Sequence, residues 1–364
     1  MTKKNLKRIL LAPLDWGLGH TARCLPLIRH LQLTGSHVTA AVNHWQRSFI
    51  ESNCSGIDFT NLDGYNVTYA AGRNLNKIKI AAQVPAICKA ITREQKWLQQ
   101  QVKTLQPDGI ISDNRYGIYH PDIPSVIITH QLHVLTGMGK AADSSIQKIH
   151  FRLLSKFNQI WVPDVEGATN LAGTLSHPAT LPDNTRYIGP LSQMEAADTE
   201  ATNGGYLLIL LSGPEPQRTL LSAILWRQAL QHEGKIIFVE GNELAQRPAG
   251  VPANITWHNR LAGTALQHAL RNASMVICRS GYSTIMDLIS AGKRAILIPT
   301  PGQTEQEYLG HNLNEQGIML SRAQESFQLQ PALTAAGKFP YNFPALAAHY
   351  NDYKPIVNDW VTSL

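Results

Sequence analysis

The stretch LDWGLGHTARCLPLIRHL, residues 14–31, sets two glycines before a histidine at what reads as the mouth of a helix. Gly17-Leu18-Gly19-His20-Thr21-Ala22 fits G-x-G-x-x-A, a pattern that lets backbone close on a pyrophosphate. A dinucleotide site also needs an acidic residue at the end of the second strand to hold the ribose. Here HVTAAVNHWQR ends on Asn43, His44 and Trp45, which argues against a nicotinamide or flavin cofactor. Gly17 and Gly19 then serve as a turn for close approach, and His20 occupies the first helical turn. The positive end of the helix dipole disfavours imidazolium there, leaving a neutral ring able to act as a base. A histidine that only packs the turn fits the same residues. Asp113, in PDGIISDNRYG, closes another strand and shares an edge with His20 if the sheet is parallel. A carboxylate at that place can hold one imidazole tautomer and stabilise the imidazolium as it forms. Asp113 can equally cap the next turn with Asn114 or pair with Arg115.

The densest signal is MVICRSGYSTIMDLISAGKRAILIPTPGQTEQEYLGHNLNEQG, residues 275–317. A strand ending at Cys278 passes through Arg279, Ser280 and Gly281 into a short helix that Gly292 closes with a left-handed cap. The amino-terminal N–H groups of that helix make an anion site. Ser283 and Asp287 lie four apart on one face, where a carboxylate can accept from the two hydroxyls of a ribose; a capping serine and a solvated aspartate have the same spacing. Thr304 and Glu307 have capping-box spacing, leaving Glu305 and Gln306 to reach outward. A carboxylate beside a carboxamide suits a polyhydroxylated ligand, and a solvated first turn explains the pair equally well. In SGPEPQR, residues 212–218, Gly213 can bring backbone near a phosphate, but two prolines remove amides.

The elements that must position these groups repeat one grammar. RILLAP, HVTAAVN, GIISD, SVIITH and IWVPD read as buried parallel strands between amphipathic segments. After LSQMEAADTEATNGG, residues 191–205, the pattern restarts with YLLILLSG, KIIFVEG, MVICRSG and RAILIPTP. Two doubly wound Rossmann-like α/β domains, 1–190 and 206–340, are expected to face one another across a cleft with a linker at 191–205. A segment at 341–364 has helical spacing broken by Pro355. The length of 364 residues, 43% apolar and 16% charged, fits two ordinary globular cores. Cys24, Cys54, Cys88 and Cys278 lie far apart with no histidines at ligand spacing, so they are expected to be reduced and buried, with no metal site. No apolar run long enough to cross a membrane is present, so a cytoplasmic protein is expected.

Charge is uneven: residues 1–190 carry 20 Lys+Arg against 12 Asp+Glu, and the remainder 12 against 14. An anionic membrane surface is the favoured partner, since no aromatic-basic RNA signature or long basic run points to nucleic acid. RNLNKIKIAAQVPAICKAITREQKWLQQQVK, residues 73–103, alternates basic residues with Ile, Val and Trp97 and can rest on an anionic bilayer; a surface helix with a solvated basic face, interrupted at Pro85, is the plainer reading.

These motifs together resemble GT-B glycosyltransferases, the group of the peptidoglycan N-acetylglucosaminyl transferase, diacylglycerol glucosyltransferases and small-molecule UDP-glycosyltransferases. GLGHTARCLPLIRHL is similar to their first glycine-rich loop, ISDNRYG to the loop bearing a partner aspartate, and ICRSGYSTIMDLISAGKRAILIPTPGQTEQEYLGHNL to the donor-binding segment. The resemblance implies an inverting hexosyltransferase in which His20 deprotonates a lipid or small-molecule acceptor and Asp113 orients it. It implies a UDP-sugar donor with its diphosphate on Ser280, Gly281 and Ser283 or Thr284, its ribose on Asp287, its sugar on Glu305 and Gln306, and its uracil near Leu261. Arg279 would meet charge on the leaving diphosphate, no metal would be needed, and the last helix would cross back to the first domain. SGPEPQR lacks the extra glycines of the peptidoglycan enzyme, and Gln217 and Arg218 can supply donors in their place. Non-hydrolysing UDP-sugar epimerases and a non-catalytic UDP-sugar-binding protein are the alternatives on the same fold. A peripheral place on the inner face of the membrane follows from a lipid acceptor.

Overall fold

The computed structural model describes residues 6–65, 84–134, 139–194 and 204–364. These form two compact units, one of residues 6–65, 84–134, 139–193 and 349–364, the other of residues 194 and 204–348. Most of the stretch expected as a linker lies outside the described residues, as does 73–83 of the basic segment.

In the first unit, strands β1 (Arg8–Pro13), β2 (His37–Val42), β3 (Asp58–Asn61), β4 (Gly109–Asp113), β5 (Ser125–Ile128), β6 (Gln159–Val162) and β7 (Thr185–Tyr187) form one sheet in the order β3-β2-β1-β4-β5-β6-β7. Every pairing is parallel. The central strands are apolar runs because helices cover both faces of a parallel sheet. Helices α1 (Leu18–Leu33), α2 (His44–Glu51), α3 (Val84–Leu105) and α4 (Lys140–Leu154) follow the strand ends.

The second unit repeats the plan. Strands β8 (Tyr206–Leu210), β9 (Lys235–Val239), β10 (Ile255–His258), β11 (Ala273–Cys278), β12 (Ala295–Leu297) and β13 (Leu320–Ser321) lie in the order β10-β9-β8-β11-β12-β13, all parallel. Helices α5 (Gln217–Ala229), α6 (Gly263–Asn272), α7 (Tyr282–Ser290), α8 (Thr304–Glu315), α9 (Leu329–Lys338) and α10 (Pro344–Ala347) complete it. The two doubly wound α/β units read from the sequence are present, with β3, β7, β10 and β13 added as short strands that the apolar pattern did not mark.

The chain returns to the first unit at residue 349 and ends in α11 (Tyr353–Ser363). Trp360 packs edge-on to Trp161, ring centroids 5.5 Å apart, and a side chain at Gly109 would meet its indole at 2.6 Å. His30 of α1 bonds Asn358 Oδ1 at 2.9 Å through Nε2. Pro355 sits in the first turn of α11, where a missing N–H costs nothing.

Candidate active site

Each sheet reverses its strand order once near its middle, between β1 and β4 and between β8 and β11. Connections leave such a point in opposite directions, opening a crevice at the carboxyl ends of the strands. In the first unit, Pro13 at the end of β1 pairs with Asp113 at the end of β4, and Leu14 N–H donates to the Asp113 carbonyl at 2.9 Å. Gly17, with φ +87°, turns the chain into α1. A residue with a Cβ is strained at that φ.

His20 and Arg23, three apart in the first turns of α1, both reach Asp113. The His20 ring places Nδ1 2.9 Å from Asp113 Oδ1, so Nδ1–H donates and Nε2 keeps its lone pair. Arg23 Nε donates to Oδ2 at 2.6 Å and its Nη2 to Oδ1, a bidentate fork, while Nη1 lies 3.4 Å from His130 Nδ1. The Cys24 thiol also approaches Oδ2, at 3.5 Å. Asp113 and Arg23 are buried; His20 is 15% exposed, and among the described residues no hydrogen bond to its Nε2 is present. Burial draws the imidazole below its ordinary pKa and the Arg23 charge adds to this, against the pull of Asp113. Burial alone would raise the Asp113 carboxyl, but Arg23 and His20 hold it well below the usual range. Burial and the Arg23 cation thus act on the ring in the same direction as the helix dipole expected from its place in the first turn.

The sequence reading missed Arg23 and His130. The signal for Arg23 was its H-x-x-R spacing from His20. Arg115, offered as a partner for Asp113, points elsewhere: it donates to the Pro13 carbonyl at 2.9 Å and to Glu94 Oε1 at 2.8 Å. Tyr65 OH donates to Glu94 Oε2 at 2.7 Å, so a second buried network ties α3 to the loops beside the site. Buried Gln46 donates to the Pro13 and Leu14 carbonyls and to Thr21 Oγ1, fixing the first turn of α2 against the turn that carries His20. Asn43 and Gln46 form the capping box of α2, so Asn43 is committed to the helix. Trp16, in the turn after β1, and Trp45, in the first turn of α2, are both exposed.

In the second unit, Gly281 caps α7 without a side-chain hydrogen bond, and no acidic residue occupies the first turn. The opening N–H groups and dipole there favour an anion. Half-buried Ser283 and Thr284 stand in this turn, and Asp287 is buried one turn on. Gly292, φ +62°, closes the helix as expected: Lys293 N–H reaches Leu288 O at 2.8 Å and Gly292 N–H reaches Ile289 O at 3.0 Å.

Ser280 and Arg279 are placed differently from the expectation that they meet a diphosphate. Both are buried. Ser280 Oγ donates to the Gln306 carbonyl at 2.8 Å, and Arg279 donates to the carbonyls of Ile298 and Pro299, each at 3.2 Å, and of Gln217 at 2.7 Å. They fasten the ends of β11 and β12 to α5 and α8. Burial pushes the Arg279 guanidinium down to about 10, with Glu325 opposing. The Thr304–Glu307 capping box is not formed, because Gln303 is the cap and Thr304 already helical; Glu307 Oε1 instead accepts from Gly302 N at 2.9 Å. Gln306 is buried with Oε1 accepting from Thr300 N at 3.0 Å, and Glu305 is half-buried beside it.

Gly213 has φ +99° and open space where a Cβ would stand. Arg218 is not the spare donor suggested for this loop, since it pairs with Glu215 and donates to the Gly241 carbonyl at 2.6 Å. Leu261 lies half-buried in the loop between β10 and α6. Cys24 and Cys278 are buried as expected, whereas Cys54 is half-buried and Cys88 exposed. Among the described residues no group of three or more His, Cys, Asp or Glu could hold a metal ion, and no helix is long and apolar enough to cross a membrane.

Residues 225–338, which include the whole of 275–317, match the glycosyltransferase family 28 C-terminal domain. An uncharacterized glycosyltransferase of Methanosarcina mazei is 23% identical over 323 residues, covering 83% of this chain and 82% of its own length. One from Methanosarcina acetivorans is 22% identical over 316 residues, covering 83% and 82%. Among solved structures, the calicheamicin glycosyltransferase CalG4 superimposes with a TM-score of 0.63 at 13% identity, covering 99% of this chain and 98% of its own. MurG of Acinetobacter baumannii gives 0.57 at 16% identity over 98% and 100%. Sheet order and comparisons agree: the chain is a glycosyltransferase of the GT-B fold, and residues 225–338 of its second half match a family 28 carboxyl-terminal domain.

Proposed function

We propose that the protein transfers a hexose from a UDP-sugar to an acceptor hydroxyl in one displacement, with inversion at the anomeric carbon. The observation that carries this reading is the His20–Asp113 pair, with Nδ1 held at 2.9 Å and Nε2 left as the open lone pair. The acceptor oxygen gives its proton to Nε2 as it bonds to the anomeric carbon, and the bond to the β-phosphate oxygen breaks. Charge gathering on the departing UDP is met by the amino terminus of α7, a preorganised dipole, so the reaction needs no metal. Asp287 takes the ribose, Leu261 lies near the uracil, and Glu305 with the Gln306 amide takes the sugar.

The acceptor belongs to the first unit. Exposed Trp16, in the turn before α1, and Trp45, at the start of α2, offer apolar ring faces in the first unit. The exposed side of α3 carries Lys89, Arg93, Lys96 and Lys103, and its only acidic residue, Glu94, is buried. Ile87, Ile91, Trp97 and Val102 of the same helix turn inward onto the core. The contact this face offers a bilayer is thus mainly electrostatic. That suits a lipid acceptor collected from an anionic inner membrane face.

His20→Ala is expected to lower kcat by about 10²–10⁴-fold while UDP-sugar binding, read by calorimetry, survives. Equal loss of both would sink the assignment. Asp287→Ala should instead weaken donor binding. A UDP-release screen of several UDP-hexoses against a lipid extract and soluble hydroxyl compounds, with and without a chelator, identifies the substrates. Conversion of UDP-N-acetylglucosamine with no acceptor present would favour the epimerase reading.

A further inference from the structure

A buried aspartate beside an imidazole creates a difficulty that the His20–Asp113 pair alone does not solve. Left unpaired in its buried place, the carboxyl would tend to take up a proton and lose its grip on one tautomer. Left ionised and uncompensated, it would draw a proton onto the imidazole, and an imidazolium cannot accept one from a hydroxyl. The groups facing His20 resolve both sides of this. Arg23 from α1 occupies both oxygens of Asp113, His130 after β5 takes the third guanidinium arm, and Cys24, one residue beyond Arg23, approaches Oδ2 as a thiol that burial keeps protonated. Asp113 lies at the end of β4 and pairs with the end of β1, so the fork and the ring converge on a rigid sheet edge.

We propose that Arg23 is a positioning residue for the base: its bidentate fork keeps Asp113 ionised as an acceptor for Nδ1–H, and its charge keeps Nε2 without a proton between turnovers. The role combines geometry and charge. A lysine retains the cation but not the fork, since an ammonium cannot span both carboxylate oxygens in the plane of the group. A glutamine offers a polar amide and no charge.

This inference rests on His20 as the base, and the experiment separates the two. The full-length protein is labelled in its histidine rings and titrated by NMR, with the His20 signal identified by its loss in H20Q. In R23Q the ring is expected to protonate at higher pH than in the wild type, and the acid limb of kcat to move upward with it while the donor KM stays. R23K should shift both in the same direction by less. D113N should shift the ring the opposite way, because the Arg23 charge then stands alone beside it. Should R23Q fail to fold, the opposite signs of R23K and D113N carry the test. A His20 titration unchanged in R23Q and R23K overturns the proposal whatever happens to the rate, since loss of activity without that shift is a packing defect. If the ring shifts as stated but H20Q transfers sugar at the wild-type rate, the hold of Arg23 on the imidazole stands and the assignment of His20 as base falls.

Discussion

At the residue scale, the first unit holds several ionisable side chains away from water, each beside a hydrogen-bonding neighbour. Asp113 is held ionised by Arg23, Glu94 is met by Arg115 and Tyr65, and His150 lies beside Tyr116, whose OH is 3.0 Å from His150 Nε2. Burial pushes His150 down to about 4. Its contribution to the pH dependence of stability has a definite sign. An unfolded chain protonates this ring near the ordinary histidine value, whereas the folded protein resists until about pH 4. Protons are taken up first by the unfolded state as pH falls through that window, so stability drops, by about 3 kcal/mol at most, and is whole again above the ordinary value. Urea midpoints at neutral pH and near pH 4.5 should show a loss that His150→Gln reduces. An identical slope in the variant would remove His150 as a cause.

At the scale of elements, the site depends on helices placed by contacts distant from the chemistry. Helix α8 approaches the strand ends so closely at Gly310 that a Cβ would lie 2.7 Å from Pro299 Cγ and Ser321 Oγ, and this approach carries Glu305 and Gln306 to the loop after β12. Helix α11 does comparable work in the first unit, where Trp360 fills the space over Gly109 and beside Trp161. Removing that indole leaves a cavity between helix and sheet. Trp360→Ala is expected to cost about 3–5 kcal/mol in urea unfolding. A cost below 1 kcal/mol would mean that α11 is an ornament on the sheet rather than part of its core.

At the scale of the whole molecule, charge is distributed by half, with the excess of Lys and Arg in residues 1–190. Fold and net charge are separate matters, since charge governs association rather than architecture. The described part of this excess includes the stripe of Lys89, Arg93, Lys96 and Lys103, spaced to share one face of α3. Vesicles containing anionic phospholipid should co-sediment the protein at low salt and release it as salt screens the contact over roughly 10 Å at 0.1 M. The combined substitutions K89Q, R93Q, K96Q and K103Q should abolish sedimentation without lowering the melting temperature. Equal sedimentation of both proteins would remove this face as the contact.

The sequence by itself determined the two-unit α/β plan, the strands that build the middle of each sheet, the turn at Gly17, the cap at Gly292, and the nomination of His20 and Asp113. Those features are local or periodic: a buried parallel strand must be an apolar run, and a left-handed cap selects glycine. Short outer strands such as Asp58–Asn61 and Thr185–Tyr187 have no such run, because every residue in them is exposed or half-buried. Partners were decided by tertiary structure alone. Arg115 is the arginine that sequence proximity sets beside Asp113, and only the β1–β4 pairing, together with the turn of α1, gives the carboxylate to Arg23 and sends Arg115 to Glu94. Arg279 and Ser280 have the types that bind phosphate, yet packing turns them onto backbone carbonyls. Residue type states what a side chain can donate or accept; which group stands opposite depends on contacts between segments far apart in the chain, and these form only when the sheet closes.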